Sequence, residues 1–247
     1  MEVRGIEVPT GRGPARVEID EAAEPRLLFV LTHGAGGGVE SADLLAVRDA
    51  VRAIGGTVAR VVQPFRVAGA RAPGSAARQD EAWLTVVAAL RDRYPGLPLV
   101  QGARSNGARV ACRTARAAGA AGVVALAFPL HPPGRPERSR AAELRGAGVD
   151  VLVVNGDRDP FGVPDAADAA RVVVLPGEGH ELRKDPARVG EIVAEWVGAL
   201  VGAPVPSAAP GTRPEAPPEA LSGARPGART GTVTGVAAGP GAAGRDR

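Results

Sequence analysis

The sequence predicts an α/β protein: a three-layer α/β/α sandwich around a mostly parallel, doubly wound sheet. Two observations carry this. From Arg26 to Val201, short apolar runs alternate with segments of helical period, the pattern of strands joined by crossover helices. The strand runs are also continuously apolar, as in Arg26-Leu-Leu-Phe-Val-Leu-Thr32, which a strand covered on both faces requires.

The elements follow in order. Val3 to Val8 and Ala15 to Ile19 read as an edge hairpin, with Gly11, Gly13 and Pro14 between them. The Arg26 to Thr32 strand opens into a glycine-rich loop, His33 to Gly38. Ser41 then caps a helix with Leu44, Val47 and Val51 inward. Thr57 to Val62 is the next strand, followed by a loop up to Gly74. Gln79 to Tyr94 is the clearest helix, with Trp83, Val86, Val87 and Leu90 as its stripe. Leu97 to Val100 leads a strand into Gln101 to Arg109, and a helix runs on to Ala118. Gly122 to Ala127 is a strand, Glu137 to Arg145 a short helix, Val149 to Asn155 a strand and Asp165 to Ala170 a helical turn. Arg171 to Leu175 is the last strand, and Pro186 to Val201 the closing helix, with Val189, Ile192, Val193 and Trp196 inward.

At 247 residues the chain is long enough for one such core. Residues 1–202 form the predicted domain. From Ala203 to Arg247 there are eight Pro and eight Gly and no aromatic residue, a composition too poor in apolar bulk to offset its ordering entropy. That segment is expected to be a disordered tail. Net charge is +3, and the basic residues, nearly all arginine, are interleaved with acids. This argues for a solvated surface and against a nucleic-acid footprint. No apolar run approaches the ~18 residues of a membrane span, and no signal pattern opens the chain, so a cytoplasmic protein without a membrane partner is expected. Cys112 stands alone, so no intrachain disulfide forms.

The loops that follow the strands carry His33, Ser105, His131, Asp159 and His180, which places the reactive residues on one rim of the sheet. Ala103-Arg104-Ser105-Asn106-Gly107 has the form small-x-Ser-x-Gly between a strand and a helix, the setting of a nucleophile elbow. A serine nucleophile needs a base within reach and a carboxylate to orient it. His180 alone among the three histidines follows both Ser105 and the acids at Asp157 and Asp159. The Gly34 to Gly38 loop fits neither G-x-G-x-x-G nor a Walker pattern, and the histidines lack paired metal-ligand spacing, so no cofactor and no metal are expected.

Four motifs together resemble the α/β-hydrolase superfamily: Leu31 to Gly37, Gly102 to Gly107, Phe128 to Gly134, and Gly156 to Gly162 with Gly179-His180. The chain is most similar to the small, lidless, dienelactone-hydrolase-like branch and to the group of testis-expressed protein thirty. Dienelactone hydrolase itself uses cysteine where this chain has Ser105. The resemblance implies an α/β-hydrolase fold without a lid domain. It implies Ser105 as nucleophile, His180 as base and Asp159, ahead of Asp157, as the orienting acid. The N–H groups of Ala35 (or Gly36) and Asn106 would form the oxyanion hole. His33, Phe65, His131 and Phe161 are the substrate-binding candidates, for a small ester or acyl substrate. Since some relatives act as scaffolds, a non-catalytic binding protein on the same fold is the alternative. Oligomeric state is left open by the sequence.

Overall fold

The computed structural model describes residues 4–202. The tail expected from Ala203 onward lies outside the described residues. One eight-stranded sheet runs through the molecule. Its strands are β1 (Arg4–Val8), β2 (Ala15–Asp20), β3 (Leu27–Thr32), β4 (Gly56–Val62), β5 (Leu99–Arg104), β6 (Gly122–Leu126), β7 (Asp150–Gly156) and β8 (Arg171–Leu175). They lie in the order β1-β2-β4-β3-β5-β6-β7-β8. β1 and β2 form the antiparallel edge, and β3 to β8 are mutually parallel.

Because side chains alternate along a strand, a continuously apolar strand feeds two cores. In β3, Leu28 and Val30 enter the core on one face, while Leu27, Phe29 and Leu31 enter the other. The first core is closed by α3 (Ala76–Arg93) through Trp83, Val86 and Leu90, and by α4 (Asn106–Ala118). The second is closed by α1 (Ala42–Ala53) and α6 (Pro186–Gly202), through Leu44, Val47, Val51, Val189, Ile192 and Val193. These are the three expected layers. Gly102 in β5 is where Phe29 packs: a Cβ there would collide with the Phe29 ring.

Several boundaries differ from the sequence expectation. α3 starts at Ala76, three residues before Gln79, because Ala76, Ala77 and Arg78 are strong helix formers that face solvent and so carry no apolar period. A short helix, α2 (Pro64–Val67), sits in what reads as loop, with Pro64 at its first turn, where a missing N–H costs nothing. The helix expected from Glu137 is α5 (Ala141–Arg145) only: the Ser139 hydroxyl accepts the Ala141 N–H and the preceding residues make a turn, with Arg138 N–H bonded to Arg135 O. The Asp165 to Ala170 turn is a single 3-10 turn closed by a reciprocal Asp165–Asp168 capping box. Ser41 occupies the N-cap of α1 by backbone geometry, but its hydroxyl makes no capping bond. Among the described residues no helix is long and apolar enough to cross a membrane. The β6–α5 connection, residues 127–140, is loop and turn, and no lid domain rises from it.

Candidate active site

Ser105 follows β5 directly and stands as the N-cap of α4 with φ 52° and ψ −120°. A positive φ on a non-glycine residue costs on the order of 1–3 kcal/mol and persists only where its surroundings enforce it. Here the Ser105 N–H is bonded to Leu126 O at 2.9 Å, which pins the turn to β6. The small neighbours are required by contact. A Cβ on Gly107 would lie 2.5 Å from the His33 carbonyl oxygen, and one on Gly34 would lie 2.9 Å from the Ser105 Cβ. Ala103 is fully buried. Gly107→Ala is therefore expected to push α4 away from the His33 loop and to lower stability by roughly 1–3 kcal/mol, read by denaturant unfolding.

His180 lies in the loop after β8. Its Nε2 is 2.8 Å from Ser105 Oγ, and its Nδ1 is 2.8 Å from Asp159 Oδ2. An ionised carboxylate only accepts, so Nδ1 carries the proton and Nε2 is left to accept from the serine hydroxyl. Asp159 is buried. Its other oxygen, Oδ1, accepts the Phe161 N–H at 2.8 Å. Asp157 is exposed, and its Oδ1 accepts the Gly177 N–H at 2.7 Å, joining the loops after β7 and β8 away from the imidazole.

The other residues singled out by sequence fall in different places. Phe161 packs on His180, with ring centroids 4.3 Å apart. His131 donates from Nδ1 to Pro132 O and from its backbone to Phe161 O, and its ring covers Gly162, so it props the loop that carries Asp159 and Phe161. Phe65 lies 5.8 Å from the His33 ring. His33, expected among the substrate-binding residues, is buried. Its Nδ1 is held by Gly34 O at 2.7 Å and its Nε2 by the Gln63 N–H at 3.1 Å, which leaves no nitrogen for a substrate. It fixes the glycine-rich loop instead. Gln63 completes that support, donating from Nε2 to His33 O and Thr32 Oγ1. Ala35 sits in this loop and Asn106 in the first turn of α4. Among the described residues neither N–H has a hydrogen-bond acceptor.

Burial drives the His33 pKa down, the Gly34 bond works against that shift, and the Arg66 charge adds to it. Below about pH 6.5 the unfolded chain binds more of this proton than the folded His33 does, so stability present above that pH is lost as pH falls toward the lowered folded pKa. His33→Asn is expected to flatten the stability–pH curve just below pH 6.5; an unchanged slope would contradict the buried neutral imidazole.

A family model described as an alpha/beta hydrolase domain matches residues 25–185. The chain belongs to the alpha/beta hydrolases. Solved structures agree. It is similar to an alpha-beta serine hydrolase homologue from Coxiella burnetii (17% identity, TM-score 0.66, covering 80% of this chain and 98% of that one). It is similar to an α/β serine hydrolase without lid from Xanthomonas campestris (19%, 0.63, 85% and 98%). It is also similar to the Est1E protein of Butyrivibrio proteoclasticus (16%, 0.61, 80% and 99%). At these identities what is shared is the fold. Comparison with curated proteins finds none that matches.

In this hydrolase two further residues support the site, neither singled out from sequence. Asn155, buried in β7, accepts the Phe128 N–H at 2.8 Å, and the two N–H groups of its Nδ2 are shared among Asp159 Oδ2, Phe128 O and Gly162 O, each 3.3 Å away. It joins the ends of β6 and β7 to the acid. A polar residue ending the apolar run Val151 to Val154 is the signal that could have found it. Arg104, next to Ser105, is also buried. Its Nη2 reaches His180 O at 3.2 Å and Glu181 at 2.9 Å, and its Nε lies 3.3 Å from the Asp43 carboxylate. It ties the histidine loop to β5 and α1. Among the described residues no group of three or more His, Cys, Asp or Glu side chains could hold a metal ion.

Proposed function

We propose that this hydrolase is a serine esterase that cleaves small carboxylic esters or related acyl bonds through a Ser105–His180–Asp159 triad. The observation that carries the reading is the single imidazole bridging Ser105 Oγ and Asp159 Oδ2 at 2.8 Å on either side. In the first half-reaction Ser105 Oγ attacks the ester carbonyl carbon while His180 Nε2 takes its proton. The negative oxygen of the tetrahedral intermediate is received by the Asn106 and Ala35 N–H groups, at the positive end of α4. The C–O bond to the alcohol then breaks, and the imidazolium returns its proton to the leaving oxygen. In the second half, water attacks the acyl-serine with His180 again as base, and the carboxylic acid leaves. Asp159 keeps His180 in the tautomer this requires and steadies its charged form. Phe161, on the imidazole, borders the leaving-group side.

Within the superfamily we infer membership of the small, lidless, dienelactone-hydrolase-like branch and the group of testis-expressed protein thirty. The absence of a lid among the described residues, and the similarity to the lidless Xanthomonas campestris serine hydrolase, support this. We infer that the catalytic unit is residues 1–202, a range within which the family match at residues 25–185 falls. A chain ending at Gly202 is expected to keep the kcat of the 247-residue chain; a loss beyond about tenfold would assign the tail a part in the site.

The reading is tested by hydrolysis of p-nitrophenyl acetate under pre-steady-state conditions. A burst of p-nitrophenol equal to the enzyme concentration is expected from an acyl-enzyme. Absence of both burst and turnover would leave the non-catalytic binding reading.

A further inference from the structure

We propose that a cavity between β4, α2 and α3 is the acyl subsite of this site, shaped for one apolar group of phenyl or short-alkyl size. The inference rests on the esterase reading above and adds a substrate class to it. The cavity is about 160 Å³ and is walled by Val61, Pro64, Phe65, Ala82, Trp83 and Val86. That is close to the roughly 150 Å³ of an engineered apolar cavity that takes up benzene.

Most of the polar groups that border the cavity are already spent. The Trp83 N–H is given to Gln101 Oε1. The Gln63 amide N–H groups go to His33 O and Thr32 Oγ1. Gln79 donates to Gly74 O and Ser75 O and accepts from Asn106. Arg12 is paired with Glu81. Arg78, which also borders the cavity, is exposed to solvent. What the wall offers is mostly carbon surface, which favours an apolar occupant over a polar one.

Two contacts set the cavity beside the reaction centre. Gln79, on its wall, accepts a hydrogen bond from Asn106 Nδ2 at 2.6 Å, and Asn106 directly follows Ser105. Phe65, also on its wall, lies against His33, whose next residue is Gly34, in contact with Ser105. Gln79 and Phe65 thus link the cavity to the two oxyanion-hole segments, while Ser105, Ala35, Asn106, His180 and Phe161 all lie outside its wall, and no wall residue bonds to His180 or Phe161. The half of the ester it takes follows from those two links. His180 must reach the leaving oxygen to protonate it, so the alcohol lies on the His180–Phe161 side. The acyl group, held by its carbonyl oxygen between the two N–H donors, extends toward Gln79 and the cavity.

The test compares p-nitrophenyl acetate, butanoate, hexanoate and phenylacetate with a series of alkyl acetates, in the wild type and in Ala82→Phe. In the wild type kcat/KM is expected to rise about fourfold per added acyl methylene up to hexanoate, and phenylacetate to exceed acetate at least about tenfold. Alcohol length should matter little. Ala82→Phe fills the cavity and is expected to bring the hexanoate-to-acetate ratio to about one; if it does not fold, Ala82→Leu should lower the ratio part of the way. A flat acyl series in the wild type, or a ratio that filling the cavity leaves as it was, overturns the subsite. So does length dependence confined to the alkyl acetates, which would put the alcohol there. A wild type that turns over neither series and takes no fluorophosphonate at Ser105 fails one level lower, and overturns the esterase reading and the subsite with it.

Discussion

Ser105→Ala is expected to lower kcat on p-nitrophenyl esters by about 10⁶ while leaving the melting temperature close to that of the parent. The expected loss is large because the proposed mechanism makes the hydroxyl the attacking group, and no other described hydroxyl is bonded to the His180 imidazole. What would survive, on the same proposal, is the weaker help that the N–H groups of Ala35 and Asn106 give to attack by water. Stability is spared because alanine keeps the Cβ that Gly34 accommodates, and the Ser105 N–H bond to Leu126 O is a backbone contact. The strained φ of 52° is present in both proteins, so its cost cancels in the comparison. Turnover within tenfold of the parent would remove Ser105 from the mechanism.

Asp159→Asn is the second large effect, about 10⁴ in kcat on the precedent of serine proteases. Its cause can be read from the hydrogen bonds. All three described partners of the Asp159 carboxylate are donors: the His180 Nδ1–H, the Phe161 N–H and the Asn155 amide. A carboxylate accepts from all three, whereas an asparagine must turn an NH₂ group toward at least one of them. If that group faces His180, the imidazole swaps tautomer, Nε2 carries the proton, and it can no longer accept one from Ser105. If it faces Phe161, the loop after β7 gives way. Asp157→Asn should cost only a few-fold, because its single acceptor role toward the Gly177 N–H is one that an amide oxygen also fills. The reverse ranking, measured side by side by steady-state kinetics, would transfer the acid to Asp157.

How far the sequence reaches is visible in individual residues. Leu27 to Leu31 announces a doubly covered strand because burial on both faces leaves no polar position in that run. Ser105, Asp159 and His180 stand out because each follows a parallel strand, and such loops converge on one rim whatever the helices between them do. Helix starts are harder. Ala76 to Arg78 is helical through propensity alone, with no apolar period to mark it, and α2 is a single turn inside a Gly- and Ala-rich stretch.

The support around the site is the least legible part. That both nitrogens of His33 are occupied depends on the Gln63 N–H arriving from β4, thirty positions along the chain. That Asn155 also holds the Phe128 N–H depends on the register of β6 against β7, which brings the end of β6 alongside. Both are properties of strand neighbours, and strand order β4-β3-β5 is not written in chain order. The cavity beside Phe65 escapes the sequence for the same reason, since its walls come from β4, α2 and α3 together.

The central claim is that Ser105 is the activated nucleophile of this hydrolase. It is tested most directly by treating the 247-residue chain with a fluorophosphonate and locating the adduct by peptide mass spectrometry. The account predicts one phosphonyl group per chain, on Ser105 in the peptide spanning Gln101 to Arg109, and none after His180→Ala. No adduct, or an adduct on another residue with Ser105 unmodified, would contradict it.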